Sequence, residues 1–329
     1  MTVSTVSSSP LVVVVGATGA QGGSVVRNLI ESDRPYRIRG LTRDTAKPAS
    51  IKLKEMGVEV VQVDIAVGKE AAVRRAFQGA DIIFGVTDYW QHMSPEREIA
   101  EGKLMIDAAV DVGAKLFIWS GLEHVTKNSG GKYSHVVHFD SKAQVAEYAR
   151  SRLPIVDVQA GHYMTNLLHP LIKPRKVDDG SYEWEQPPSF GHGGPLPFID
   201  TERDYGLFVR FAIEDSEMSK GGGTIHTYGE MITQEDAATV LESVRRIKMR
   251  VTYIPTVEAY RAKLEGLGFP EHAILDFLDF GFMTNVEEGY YFGKERSAVQ
   301  QNIRSMLARK PRTWEEFLKA NPEFFAVDT

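Results

Sequence analysis

From Leu11 onward the chain alternates between short apolar, β-branched runs and longer stretches whose apolar residues recur at helical spacing. Leu11 to Val15, Tyr36 to Thr42, Val58 to Val63, Asp81 to Val86, Lys115 to Ser120 and Ile155 to Gln159 have the pattern of strands. Gly22 to Ser32, Glu70 to Phe77, Glu96 to Val112 and Phe139 to Arg150 have the pattern of helices. Strand and helix repeated in this way build a parallel sheet with helices on both faces, so the fold class expected is α/β, a doubly wound Rossmann-type sheet. A ligand then belongs at the carboxyl ends of the strands. Met1 to Pro10 are small and polar without periodicity, and are expected to form a flexible tail.

After Gly161 the alternation stops. Pro170 to Pro197 is rich in glycine, proline and aromatics, which suits a lid or substrate lobe better than more sheet. Gly221, Gly222 and Gly223 mark a loop, and Gln234 to Arg246, Thr256 to Leu264 and Arg296 to Leu307 have helical patterns. The expected organisation is a tail over 1–10, a dinucleotide-binding domain over 11–160, and a smaller C-terminal α/β lobe or lid over 161–329, partly returning to the first domain.

Composition narrows the function. With 43% hydrophobic and 25% charged residues, the chain can bury a full core. A formal charge of -6 provides no general attraction for nucleic acid, so direct DNA or RNA binding is not expected. The absence of cysteine removes disulfides, thiolate catalysis and cysteine-ligated zinc. The run Leu11 to Val15 is far short of the roughly 20 apolar residues that cross a bilayer. With no signal-peptide pattern at the N-terminus, a cytoplasmic or nuclear location and no membrane partner are expected.

The first strand runs into Val15, Gly16, Ala17, Thr18, Gly19, Ala20, Gln21 and Gly22, which open a helix. Glycines three residues apart let the backbone approach a pyrophosphate, and helix N-terminal amides then face its charge. A turn of this kind can also serve only to pack helix on strand; its place at the head of a repeated β-α pattern favours NAD(P) binding. At the end of the second strand stand Leu41, Thr42, Arg43 and Asp44, with Lys47 shortly after. Where an NAD site places an acid against the ribose, Arg43 can pair with a 2'-phosphate, which favours NADP over NAD. The competing assignment makes Asp44 the ribose acceptor, although Asp44 or Thr45 also suits a cap of the next helix. Asp64 and Ile65 end the third strand, where they can meet adenine or simply end a strand. Thr87, Asp88 and Tyr89 end the fourth and border the same crevice.

The candidate catalytic stretch is His135 to Lys142, at the start of a helix. Short-chain dehydrogenases need a tyrosine one helical turn before this lysine, where the ammonium lowers the phenol's pKa. Here that place is His138, and Tyr133 and Tyr148 are at the wrong spacing. Ser120, at the end of the fifth strand, therefore has no phenol to align. Lys142 can bind a nicotinamide ribose without turnover, so it is a cofactor-binding candidate and a catalytic one only if the chain turns over a substrate. His135, His138 and Asp140 lack a matched further ligand, so no metal site is expected. Tyr290, Tyr291 and Phe292, like Trp314 with Phe317, suit core or lid packing.

These residues resemble the NmrA-like family, atypical relatives of the short-chain dehydrogenases. The resemblance runs through GATGAQGG (16–23), Leu41 to Arg43, VTDYW (86–90), Gly102 to Leu104, SGLE (120–123), HFDSK (138–142), GHYMTNLL (161–168) and PLPFIDTERDYG (195–206). It implies an NAD(P)-binding protein without the tyrosine-lysine pair, of a kind that senses nicotinamide redox state and regulates a protein partner such as a GATA-type transcription factor. It also implies phosphate contact at Gly16 to Gly22, 2'-phosphate contact at Arg43 and Lys47, and adenine contact at Asp64 and Ile65. Further cofactor contacts are implied at Thr87, Tyr89, Lys103, Lys142 and Tyr163, those of Lys103 and Tyr163 by the resemblance alone. Phe139, Lys142 and the helix after them also resemble the isoflavone-reductase type, which uses a lysine without a tyrosine.

Two functions follow, the first as the expected one and the second as its alternative. In one, a regulatory module reports cofactor occupancy to a partner, and linkage makes the partner change cofactor affinity in return. In the other, an NADPH-dependent reductase uses Lys142 as acid or electrostatic support.

Overall fold

The computed structural model describes residues 3–188, 194–284, 290–292 and 298–325. The first half alternates as its pattern requires: β1 (Leu11–Val14), α1 (Ala20–Ile30), β2 (Arg37–Thr42), α2 (Pro48–Glu55), β3 (Glu59–Gln62), α3 (Glu70–Phe77) and β4 (Ile82–Gly85), then α4 (Pro95–Asp111), β5 (Leu116–Trp119), α5 (Val125–Asn128), α6 (Val137–Arg150) and β6 (Ile155–Ala160). Helix α2 has no counterpart in the apolar pattern because it buries only Ser50 and Leu53.

Chain beyond β6 supplies β7 (His162–Tyr163), β8 (Arg175–Lys176), β9 (Tyr182–Gln186), β10 (Leu196–Ile199), α7 (Thr201–Glu214), β11 (Thr224–Thr227), β12 (Glu230–Ile232), α8 (Gln234–Arg245), β13 (Met249–Tyr253), α9 (Val257–Gly266), α10 (Glu271–Met283), α11 (Ala298–Met306) and α12 (Trp314–Ala320). The stretch expected to be a lid thus contributes strands, although none joins the central sheet. Residues 189–193 of it, and 296 and 297 of the expected Arg296 to Leu307 helix, lie outside the described residues.

The central sheet has the order β11-β6-β5-β4-β1-β2-β3, and every pairing in it is parallel. Chain direction across the sheet reverses between β1 and β4, which places a crevice beyond their carboxyl ends. Alternate residues of β1 serve opposite faces: Val12 and Val14 pack with Leu29 and Phe208, whereas Leu11 and Val13 pack with Phe77 and Met105. A separate core of Trp184, Phe198, Leu241, Trp314 and Phe317 underlies two small sheets, β12-β10-β7 and β13-β9-β8.

The C-terminal half returns to the first. Strand β11 extends the sheet beside β6, and α7 lies against α1. A Cβ on Gly206 would stand 2.1 Å from the Ser24 carbonyl oxygen, so this helical glycine permits backbone contact between α1 and α7. The expected flexible tail, over its described residues, is bound beside the start of β2: the Ser4 amide donates to the Tyr36 carbonyl (2.8 Å), and Arg37 Nε donates to the Ser9 carbonyl (2.9 Å).

Candidate cofactor and substrate site

The turn after β1 is fixed by backbone geometry. Gly16 has φ +64°, in the left-handed region, and the Gly19 amide donates to its carbonyl (2.9 Å). A Cβ on Gly22 would stand 2.2 Å from the Gly16 carbonyl oxygen, so only glycine lets α1 begin this close to the turn. No side chain caps α1, and its first turn carries no acid. Its leading amides are therefore suited to an anion.

A cavity of about 920 Å³ opens on this turn and continues beyond it, within the size range of small-molecule sites. Gly16, Thr18, Gly19, Ala20, Gln21, Gly22, Arg43, Lys47, Asp64, Ile65, Thr87, Tyr89, Lys142 and Tyr163 all line it. Arg43 reaches across the mouth to donate to Gln91 Oε1 (2.7 Å). Asp44 does not line the cavity; its carboxylate accepts from the Ala46 amide (2.8 Å), closing its own turn. Neither Asp44 nor Thr45 caps α2, whose N-cap position is Lys47. Asp64 stands 3.6 Å from Lys69 Nζ, with both half-exposed.

Lys103 is not among the lining residues. Gly102 faces α6, where a Cβ would strike Val145, and the next residue is turned about 100° around the helix. Its ammonium lies 5.0 Å from the Tyr148 ring centre instead.

Lys142 is held on three sides. Its Nζ donates to the Thr87 carbonyl (3.1 Å), Thr87 Oγ1 (2.8 Å) and Glu98 Oε1 (2.7 Å). Glu98 is fully buried, and Ser141 donates to its other oxygen. Burial pushes the Glu98 carboxyl up, but the Lys142 charge and the bonds from Lys142, Ser141 and Thr87 outweigh it and hold it below its usual range.

Gln21 joins two further lining residues. Its Nε2 donates to the Tyr163 hydroxyl (2.6 Å), and its Oε1 accepts from Ser120 Oγ (2.7 Å). Ser120 is thus linked to a phenol through an amide, and that phenol lies 21 positions beyond Lys142 in the chain rather than one helical turn before it. Burial raises the Tyr163 phenol above its ordinary pKa. Tyr89 is also raised by burial, then by the charges of Asp276 and Glu98, and its hydroxyl has no hydrogen-bond partner.

The histidines and acids near Lys142 do not converge. His135 Nδ1 bonds Asp279 (2.9 Å), His138 Nδ1 bonds Asp276 (2.5 Å), and His124 Nδ1 bonds Asp140 (3.0 Å). Among the described residues no cluster of three or more potential metal ligands occurs.

Beyond Lys142 the cavity has an aromatic lining, here called the aromatic chamber, that the sequence pattern did not reveal. Trp90, Trp184, Phe198, Phe277 and Phe280 form much of its wall. Tyr291 also lines it, whereas Trp314 and Phe317 are core residues and the Tyr290 side chain lies outside the described residues. No helix among the described residues is long and apolar enough to cross a membrane.

Residues 8–318 match the NmrA-like family. The NmrA-like family domain-containing oxidoreductase ptmS of Penicillium ochrochloron is 28% identical over 316 residues, covering 90% of each chain. Among solved structures, NmrA, a negative transcriptional regulator crystallised with NADP, superposes with a TM-score of 0.76 at 22% identity over 94% of each chain. The same regulator has also been crystallised with NAD. The NADPH-dependent quinone oxidoreductase QOR2 of Escherichia coli superposes with a TM-score of 0.70 at 18% identity, over 94% of this chain and 99% of its own. With a parallel Rossmann-type sheet, a glycine turn at its switch point and a family match across nearly its whole length, the chain belongs to the NmrA-like family.

Proposed function

We propose that this protein is an NADP(H)-dependent oxidoreductase. The observation that carries this reading is that one cavity is lined both by the glycine turn and by a group of aromatic side chains beyond Lys142. The geometry of the turn fits a dinucleotide: Gly22 lets α1 begin against the turn, which offers its leading amides to a diphosphate, and Arg43 and Lys47 suit a 2'-phosphate. Bound NADPH supplies a hydride. The family's curated fungal relatives carry oxidoreductase names, which supports the same reading. Lys142 has three acceptors in place, so its role is to position Thr87 and the crevice wall rather than to give up a proton.

A regulatory reading has its own support. His138 stands where a dehydrogenase phenol belongs, and a cofactor held without turnover can report redox state to a protein partner such as a transcription factor. Either role is compatible with a cytoplasmic or nuclear location.

Calorimetric titration with NADPH, NADP, NADH and NAD, followed by steady-state assay on conjugated carbonyl compounds, separates the two. The reductase reading expects NADPH binding and turnover. Arg43→Ala should weaken NADPH about tenfold or more while leaving NADH nearly unchanged, in keeping with a lost charge-assisted pair. Tight binding without turnover over a broad substrate panel would favour the regulator, and an absence of dinucleotide binding would remove both readings.

A further inference from the structure

Helix α10 is clamped to the start of α6 by two histidine-aspartate pairs of the same design, one from His138 in the helix's first turn and one from His135 in the chain just before it. Asp279 accepts from the His135 backbone amide (3.0 Å) and bonds its Nδ1 (2.9 Å). Asp276 accepts from the His138 backbone amide (3.0 Å) and bonds its Nδ1 (2.5 Å). Their surroundings differ. The His135 side chain is 49% exposed and lies outside the cavity, whereas that of His138 is 11% exposed and lines it, with Asp276 fully buried behind it. Docking α10 on α6 explains the outer pair completely. It does not explain why the inner imidazole forms part of a ligand chamber.

We propose that His138 is the proton donor of the reductase and that Asp276 is its positioning residue, the substrate being a planar conjugated carbonyl compound seated in the aromatic chamber. This inference rests on the oxidoreductase reading above. With Nδ1 committed to Asp276, Nε2 is the nitrogen left for the cavity, and a carboxylate behind an imidazole both fixes the tautomer and stabilises the imidazolium. The chamber's shape argues for the substrate class. Trp90 stacks on Phe277 with ring centres 5.3 Å apart and planes within 15°, and the His138 ring lies 5.1 Å from Trp90 and 5.5 Å from Phe280. Flat apolar walls accept a flat unsaturated ligand by stacking. Of the donors that line the chamber, the Lys142 ammonium is already bound to Thr87 and Glu98 and burial raises the Tyr89 phenol, which makes it a poorer acid, whereas His138 has a carboxylate behind it.

The balance of the reaction is simple. With NADPH bound, reduction would add a hydride, hence two electrons, to the carbonyl carbon or its conjugate carbon of the substrate. The displaced π pair moves to the oxygen, which takes the proton from Nε2. The neutral imidazole then recovers a proton from water.

The test uses the full chain with NADPH and two probes, cinnamaldehyde and benzylideneacetone. His138→Gln should lower kcat by about 10²- to 10⁴-fold, the usual contribution of general acid catalysis, with an unchanged Kd for NADPH by calorimetry. His135→Gln, the same change in the outer clamp, should behave as wild type. Asp276→Asn should lower kcat while leaving KM and the Kd for NADPH nearly unchanged, a split that a merely structural role in docking α10 would not give. In the wild type the alkaline fall in kcat/KM should coincide with the His138 titration followed by ¹⁵N NMR, which decides the matter even where the His138 variant does not fold. Of the titratable groups around this imidazole, Asp276 on α10 bonds it and the Tyr89 ring after β4 lies 6.0 Å from it, while Tyr291 and Lys142, the latter paired with Glu98, line the same cavity. A His138→Gln enzyme within about twofold of wild type, or an alkaline limb that does not follow His138, overturns the assignment and leaves the reductase reading standing. A wild type that binds NADPH but reduces neither these probes nor a wider carbonyl panel overturns both.

Discussion

The Lys142 ammonium and the Glu98 carboxylate meet at 2.7 Å, with Glu98 fully buried. Glu98 reaches Lys142 because Gly102, one turn further along α4, lets that helix close on Val145 of α6. Removing only the acid leaves a cation with little access to water. Glu98→Gln should therefore cost about 3–5 kcal/mol, whereas the double change Glu98→Gln with Lys142→Met should cost much less. Urea denaturation of the wild type, both single variants and the double variant checks the pair as a cycle.

Gly22→Ala tests the start of α1. Its methyl group would lie 2.2 Å from the Gly16 carbonyl oxygen and 2.9 Å from that of Val15, and backbone atoms have no rotamer by which to move away. A loss of stability of about 1–3 kcal/mol is expected, as for overpacking elsewhere. Because the same shift displaces the amides offered to a diphosphate, NADPH affinity should fall with it. Thermal unfolding and calorimetric titration of the variant measure the two effects separately.

Asp157, on β6, gives a pH dependence opposite to that of an ordinary surface acid. Burial pushes its carboxyl up to about 7, against the hydrogen bond that Oδ2 accepts from Gln159 (3.1 Å), and Oδ1 has no partner. A folded-state pKa above the unfolded value of 3.8 means that the native state keeps its proton longer. Stability from this group is therefore present at low pH, declines between about pH 4 and pH 7, and is absent above that range. Asp157→Asn removes the charge, so its stability relative to wild type should rise between pH 5 and pH 8. Chemical denaturation of both proteins at the two pH values measures the slope, and equal curves would show that Asp157 does not titrate in this window.

Much of the first half was legible from periodicity, because a strand between two helical layers must be apolar on both faces and each helix on one. The α3 boundaries, Glu70 and Phe77, agree with the pattern to the residue. What escaped was structure whose reason lies far along the chain. Gly206 lowers helix propensity in α7, and only the approach to Ser24 explains it. At the site, the glycine turn and Arg43 could be read locally. The His138–Asp276 bond could not, since 138 positions separate its partners. Lys103, expected from family resemblance to touch cofactor, is carried away by the rotation of α4.

The contact of α7 with α1 has a bearing on how this protein can be divided. Besides the close approach at Gly206, Asn28 of α1 donates to the Arg203 carbonyl (3.0 Å), and Ser24 Oγ accepts from the Gly206 amide (2.9 Å). The helix whose first turn faces the glycine loop is thus buttressed by residues more than 170 positions downstream. A fragment ending at residue 160 would lack that buttress and would bare the apolar flank of α1 to water. The nucleotide fold of this chain is consequently no detachable cassette, and lesions in its second half can reach the phosphate end of the crevice without touching it.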